Sequence, residues 1–66
     1  MEVNKIKKII ENSLNQNKAN NIVTIDLKKK SYIADYMIIA SGTSSRHLQS
    51  LSENILIELK KFGLSN

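Results

Sequence analysis

The residues with the most chemical character lie in one short run, Ser41-Gly42-Thr43-Ser44-Ser45-Arg46-His47. An apolar stretch leads into glycine, then into small hydroxyl residues, then into a periodic segment. A turn of this kind leaves free backbone amides at the start of a helix, and such amides bind anions. Arg46 and His47 add positive charge, so the chemistry would be capture of a phosphate or carboxylate. An ordinary capped strand-to-helix turn needs the same Gly and Ser/Thr residues, and that plainer reading weighs more. The run is neither a P-loop nor a dinucleotide fingerprint, because the second glycine and the lysine of those motifs are missing.

Asp26 and Asp35 are the only acids near the predicted strands. Two converging carboxylates could hold Mg²⁺ for phosphoryl transfer. These two sit nine positions apart on different elements with no third acid between them, so no metal site is expected. A surface strand position suits Asp26, and a turn or strand-entry hydrogen bond suits Asp35. His47 has no neighbouring Ser or Cys partner of the kind a nucleophile needs. It reads as a first-turn histidine meeting solvent or a partner. Lys28, Lys29 and Lys30 read as a solvated loop. Base-stacking platforms are scarce, with Tyr32, Tyr36 and Phe62 the only aromatic residues. No cofactor and no sequence-specific nucleic-acid contact is expected.

Four elements must position these residues. Val3, Ile6, Ile10 and Leu14, with Ile9 beside them, recur at spacings of three and four and predict a helix over 2–16. It should stop near Asn17. Ile22 to Leu27 is short and β-branched, a strand with Val23, Ile25 and Leu27 on one face and Ile22, Thr24 and Asp26 on the other. Tyr36 to Ser41 is a second strand, apolar on both faces, a pattern expected inside a sheet with each side covered. Gly42 ends it. Leu48, Leu51, Ile55, Leu59 and Phe62 form one helical stripe after the Thr43-Ser44-Ser45 caps. Gly63 and Leu64 predict a Schellman ending, with Lys60 and Lys61 favourably placed in the last turn. Ile57 stands opposite the stripe.

Length and composition bound what this can be. Sixty-six residues make one small domain at most, burying only about 60% of its unfolded surface. Without cysteine there is no disulfide or thiolate metal site to support it. The longest apolar run, Met37 to Ala40, is far short of the roughly 20 residues that span a bilayer. No secretory pattern is present, so a cytoplasmic location is expected. The net charge of +4 favours phosphate-rich partners. Ile, Lys and Asn, all with A/T-rich codons, make 27 of the 66 residues, so codon bias is the favoured account of the lysines over a dedicated nucleic-acid surface.

The stretch from Ser31 through Tyr36 and Gly42 to His47 reads SYIADYMIIASGTSSRH. It resembles the Iojap/RsfS ribosomal silencing factors, whose usual motif is S-F-A-D-Y-F-V-I-A-T-G-T-S-x-R-H. The likeness covers about residues 22–64, and the first helix fits in position and type. It implies an α/β fold of order helix-strand-strand-helix, part of a mixed sheet like that of nucleotidyltransferases but without enzymatic activity. It further implies binding to ribosomal protein L-fourteen on the large ribosomal subunit, which obstructs subunit joining and represses translation. Large-subunit assembly in organellar relatives and self-association, as in a homodimer, are also implied. Asp26, Asp35, Tyr36, Thr43, Ser44, Arg46 and His47 match the family's polar or exposed motif positions, and Thr43 to His47 is the candidate contact region. The family continues past this helix with further strands, so residues 1–66 are expected to be a single, truncated domain with one strand edge unpaired. Two other readings compete. One is a fragment of a nucleotidyltransferase-like enzyme, with Gly42-Thr43-Ser44 standing for its Gly-Ser turn. The other is a decayed gene fragment without activity.

Overall fold

The computed structural model describes residues 2–30 and 34–64. It runs helix α1 (Val3–Gln16), strand β1 (Asn20–Asp26), strand β2 (Tyr36–Ser41) and helix α2 (Ser45–Lys61). This is the predicted element order. The strands form an antiparallel hairpin, with Val23 opposite Ile39, Thr24 opposite Ile38, Ile25 opposite Met37 and Asp26 opposite Tyr36. Ser31 and Ile33 of the motif, and the aromatic Tyr32, lie outside the described residues.

α1 packs on one face of the hairpin against both strands, and α2 packs mainly against α1 on that same side, with Ile55 facing Ile38 across an open cavity, within a body only 17 Å across its thinnest axis. Alternation along the strands then decides burial. Thr24, Tyr36, Ile38 and Ala40 turn toward the helices and are half-buried. Val23, Ile25, Met37 and Ile39 turn away, and Met37 and Ile39 remain 49% and 50% exposed. The expectation that β2 would be covered on both sides is therefore corrected. A two-stranded sheet with both helices on one side leaves its second apolar face open.

Between the layers the core is small: Ile9, Leu14 and Leu51 are its buried apolar side chains among the described residues. The predicted α2 stripe is right at its centre and frays at its ends. Leu51 is buried and Ile55 and Leu59 are half-buried, while Leu48 and Phe62 are both 48% exposed. Each still has one side covered: Leu48 lies against Gly42, and Phe62 lines a hollow with Ile9, Asn12, Ser13 and Gln16 of α1. Ile57 is exposed, as its position opposite the stripe predicts, and Leu56 beside it is exposed too.

β1 begins at Asn20, two residues before the predicted start, and ends at Asp26. A register shift between Asn20 and Val23 inserts one extra residue, and Asn21 there has φ 51°. Asparagine tolerates this left-handed conformation better than most side chains, which is how a polar pair joins the strand as a bulge.

Both helices end the same way. In α2, Gly63 N–H bonds Lys60 C=O at 3.0 Å and Leu64 N–H bonds Leu59 C=O at 2.8 Å, the predicted Schellman pair, with Gly63 at φ 83°. In α1, Lys18 N–H bonds Asn15 C=O at 3.2 Å and Ala19 N–H bonds Leu14 C=O at 2.9 Å. Here the left-handed position belongs to Lys18, at φ 63°, and its Cβ meets the steric penalty that Gly63 avoids. Replacing Lys18 with Gly should therefore stabilise the protein by about 0.5–1 kcal/mol, and Gly63→Ala should destabilise it by about 1 kcal/mol. Urea denaturation followed by circular dichroism checks both. Equal signs for the two substitutions would contradict the shared geometry.

Candidate functional site

The seven predicted site residues fall into two groups at opposite ends of β2, about 20 Å apart at the usual rise per strand residue. Thr43, Ser44, Arg46 and His47 occupy the turn into α2. Asp26, Asp35 and Tyr36 occupy the other end, where β1 leads into β2.

At the first group, Ser44 is the one of three candidate hydroxyls that caps α2. Its backbone is extended and its Oγ accepts from His47 N–H at 3.1 Å. The His47 ring then does something the sequence did not announce. Thr43 N–H donates to Nδ1 at 2.9 Å, and Nε2 lies 2.9 Å from Asn17 C=O. An amide can only donate, so Nδ1 must be the acceptor and Nε2 must carry the proton. The imidazole thereby ties the turn before α2 to the C-cap residue of α1. It is half-buried, and both nitrogens are spent within the chain. The expectation that His47 reaches outward to solvent or a partner is corrected accordingly.

Asn17 extends the tie. Its Oδ1 accepts from Asn54 Nδ2 at 3.1 Å and its Nδ2 donates to Ser13 C=O at 2.8 Å. Asn17 was expected only as a helix stop, and nothing in the spacing pointed to Asn54. A polar residue beside Leu51 and Ile55 in a helix that buries its apolar side was the available signal. Gly42 fits closely here, and a larger residue would make Leu48 or His47 shift. A Cβ on it would lie 3.0 Å from Leu48 Cδ2 and 3.1 Å from His47 Nδ1. What remains outward is Thr43, Ser45 and Arg46, exposed side chains on a backbone held from behind.

At the second group, Asp26 Oδ1 accepts from Lys28 N–H at 3.0 Å, a turn hydrogen bond in addition to the surface strand position expected of it. Asp35 contributes its backbone carbonyl, which accepts from Leu27 N–H at 2.8 Å, and its side chain is exposed. Tyr36 donates to Asn4 Oδ1 at 2.6 Å. Lys28 and Lys7 ammonium groups lie 4.8 and 5.3 Å from its ring centre, within cation–π range. Hydrogen bonding to Tyr36 raises the Lys28 amine above its ordinary value, against a smaller lowering by desolvation, with Asp26 and Asp35 adding attraction. Among the described residues no three His, Asp or Glu side chains converge as metal ligands. No helix there is long and apolar enough to cross a membrane.

If the His47 ring holds the turn, His47→Ala should cost about 1–3 kcal/mol, since it strips a donor and an acceptor of partners at once. Ser44→Ala should cost about 1 kcal/mol as a lost cap. Chemical denaturation reads both. A neutral His47→Ala would show that the bridge is not made in solution.

Comparison with known proteins agrees with this architecture. The family model described as "Ribosomal silencing factor during starvation" matches residues 1–66. Ribosomal silencing factors of Haemophilus influenzae and Zymomonas mobilis are 46% and 43% identical over 70% and 80% of this chain, and the matches span 45% and 40% of those proteins. The Chromobacterium violaceum factor is 30% identical over 97% of the chain and 52% of its own length. A crystal structure of a Chromobacterium violaceum protein superposes with a TM-score of 0.93 at 29% identity, over 98% of this chain and 54% of that one. The chain thus spans about half the length of the curated relatives it matches. With the whole of its sequence matched by the family model and its hairpin between two helices reproduced in a solved structure, the chain belongs to the ribosomal silencing factor family.

Proposed function

We propose that this chain docks on the large ribosomal subunit through ribosomal protein L-fourteen and represses translation by blocking subunit joining, with no chemical step of its own. The observation that carries this reading is the Thr43–Arg46 turn. Its side chains are exposed, yet its backbone is fixed by the Ser44 cap and the His47 bridge. A surface ordered before binding loses little entropy on docking, so contacts made there translate efficiently into affinity. Membership of a family whose curated relatives are named ribosomal silencing factors supports a reading in which the partner is ribosomal. Arg46 is the strongest single contact candidate, because a guanidinium serves carboxylates, backbone carbonyls and RNA phosphates alike. His47 acts behind it as a positioning residue. Tyr36 is committed to Asn4 and two lysines, so the far end of the hairpin contributes less.

Co-sedimentation with purified large subunits tests the proposal. Arg46→Ala should weaken binding about tenfold, a typical loss for one good interface arginine. His47→Ala should weaken it comparably while leaving Arg46 in place. Binding unaltered by both substitutions, with the helical signal intact, would exclude the turn as the docking surface.

A further inference from the structure

His47 and Asn54 stand two turns apart on one face of α2, with buried Leu51 between them. Both reach the same residue of α1. His47 Nε2 donates to the Asn17 carbonyl at 2.9 Å, and Asn54 Nδ2 donates to Asn17 Oδ1 at 3.1 Å. The side-chain nitrogen of Asn17 is committed as well, donating to Ser13 C=O at 2.8 Å. That last bond fixes the sense of the others. A carbonyl only accepts, so the Asn17 nitrogen must face Ser13, its oxygen must face α2, and Asn54 must present a donor there. Asn17 is the C-cap of α1, with φ −100° and ψ 19°. Its carbonyl has no intrahelical partner at that position, so the contacts from α2 decide where it points.

We infer that Asn54 is a positioning residue for the Thr43–Arg46 turn, acting on it through Asn17 and His47; this rests on the reading of that turn as the docking surface. The path is short and each step has a defined sense. Asn54 holds the Asn17 side chain, and the C-cap carbonyl is thereby aimed at Nε2. The ring keeps its proton on Nε2, so Nδ1 stays open to the Thr43 amide. Two attachments to one residue resist rotation of the α1 end against α2, which a single bond does not. A ring released from Asn17 exchanges between tautomers, and the one protonated on Nδ1 cannot accept from Thr43. The turn then spends less time in its docking form, and affinity falls by that fraction. A packing role alone would lower stability and leave the ring and the turn of the folded protein unchanged. The chemistry also separates two replacements. Asn54→Ala only removes the donor. Asn54→Asp sets a carboxylate against Asn17 Oδ1, and turning the Asn17 amide over to relieve this aims its oxygen at the Ser13 carbonyl. Aspartate is therefore the more disruptive, although it is the closer in size.

Nitrogen NMR of the full 66-residue chain, with the imidazole neutral, reads the ring directly. The unsubstituted protein should show one protonated ring nitrogen, Nε2, and one bare nitrogen, Nδ1. Asn54→Ala should move both resonances toward the average of the two tautomers, and Asn54→Asp should move them further. Co-sedimentation with purified large subunits should weaken about three- to tenfold for Asn54→Ala, the range of one lost neutral hydrogen bond, and more for Asn54→Asp. Ser52→Asp adds the same charge at an exposed position of α2 and should alter neither readout. Where Asn54→Ala leaves the chain unfolded, Asn54→Gln keeps the donor but moves it by one methylene, and should give the same shift in smaller measure. Ring resonances unmoved by every Asn54 variant that folds overturn the inference, whatever the docking shows. So does docking that Arg46→Ala weakens and the Asn54 variants do not. Docking indifferent to Arg46→Ala, with the ring resonances shifted as expected, instead retires the docking reading and upholds the control of the turn by Asn54.

Discussion

A two-stranded hairpin cannot stand in water by itself, and here everything that supports it lies on one face. That constraint shapes the rest of the molecule. Among the described residues only Ile9, Leu14 and Leu51 are buried as a core, so the layers are also tied by polar bonds at their margins. Thr24 donates to Glu11 between β1 and α1, Tyr36 to Asn4 between β2 and α1, and Asn54 to Asn17 between the helices. The imidazole of His47 belongs to the same set. Each tie joins residues at least 13 positions apart, which is how a chain with little apolar depth specifies one arrangement of its elements. Ser13 is the cost of this economy: its hydroxyl is buried between the helices with no hydrogen-bond partner among the described residues.

What could be read in the amino acids, and what could not, follows from the range of the forces involved. The apolar period of Leu51, Ile55 and Leu59, the Ser44 cap and the Gly63–Leu64 ending are local signals, settled within one or two helical turns, and all are present. The β-branched run and the apolar run located both strands, and β2 was placed to the residue. The bulge was not legible, because Asn20 and Asn21 join β1 only by pairing with a strand that arrives 15 residues later. The faces of β2 were not legible either. Tyr36 to Ala40 is apolar throughout, and only the placement of the helices decides which side meets them.

The candidate site shows the same division. Thr43, Ser44, Arg46 and His47 were found because a strand, a glycine and a cap in succession make a recognisable turn. Their roles were not, since the distinction between a residue that touches a partner and one that holds the turn depends on Asn17, 30 positions away from His47. The likeness to the silencing factors grouped Asp26, Asp35 and Tyr36 with them as motif neighbours. The fold separates the two groups by the length of β2, so one compact partner contact cannot use both equally.

The alternation in the turn gives a physical reason to read this motif as a docking element. A chemical site needs its hydroxyls and imidazole aimed at a shared point, with the imidazole free to take a proton. Here Ser44 Oγ faces the first-turn amide of its own helix, and both His47 nitrogens face the backbone of their own chain. The groups best suited to proton transfer are the ones turned inward, and those left outward are a threonine, a serine and an arginine. That is a surface made stiff by its own polar groups. Stiffness of this sort serves recognition by shape and charge, where the gain lies in what need not be ordered when the partner arrives.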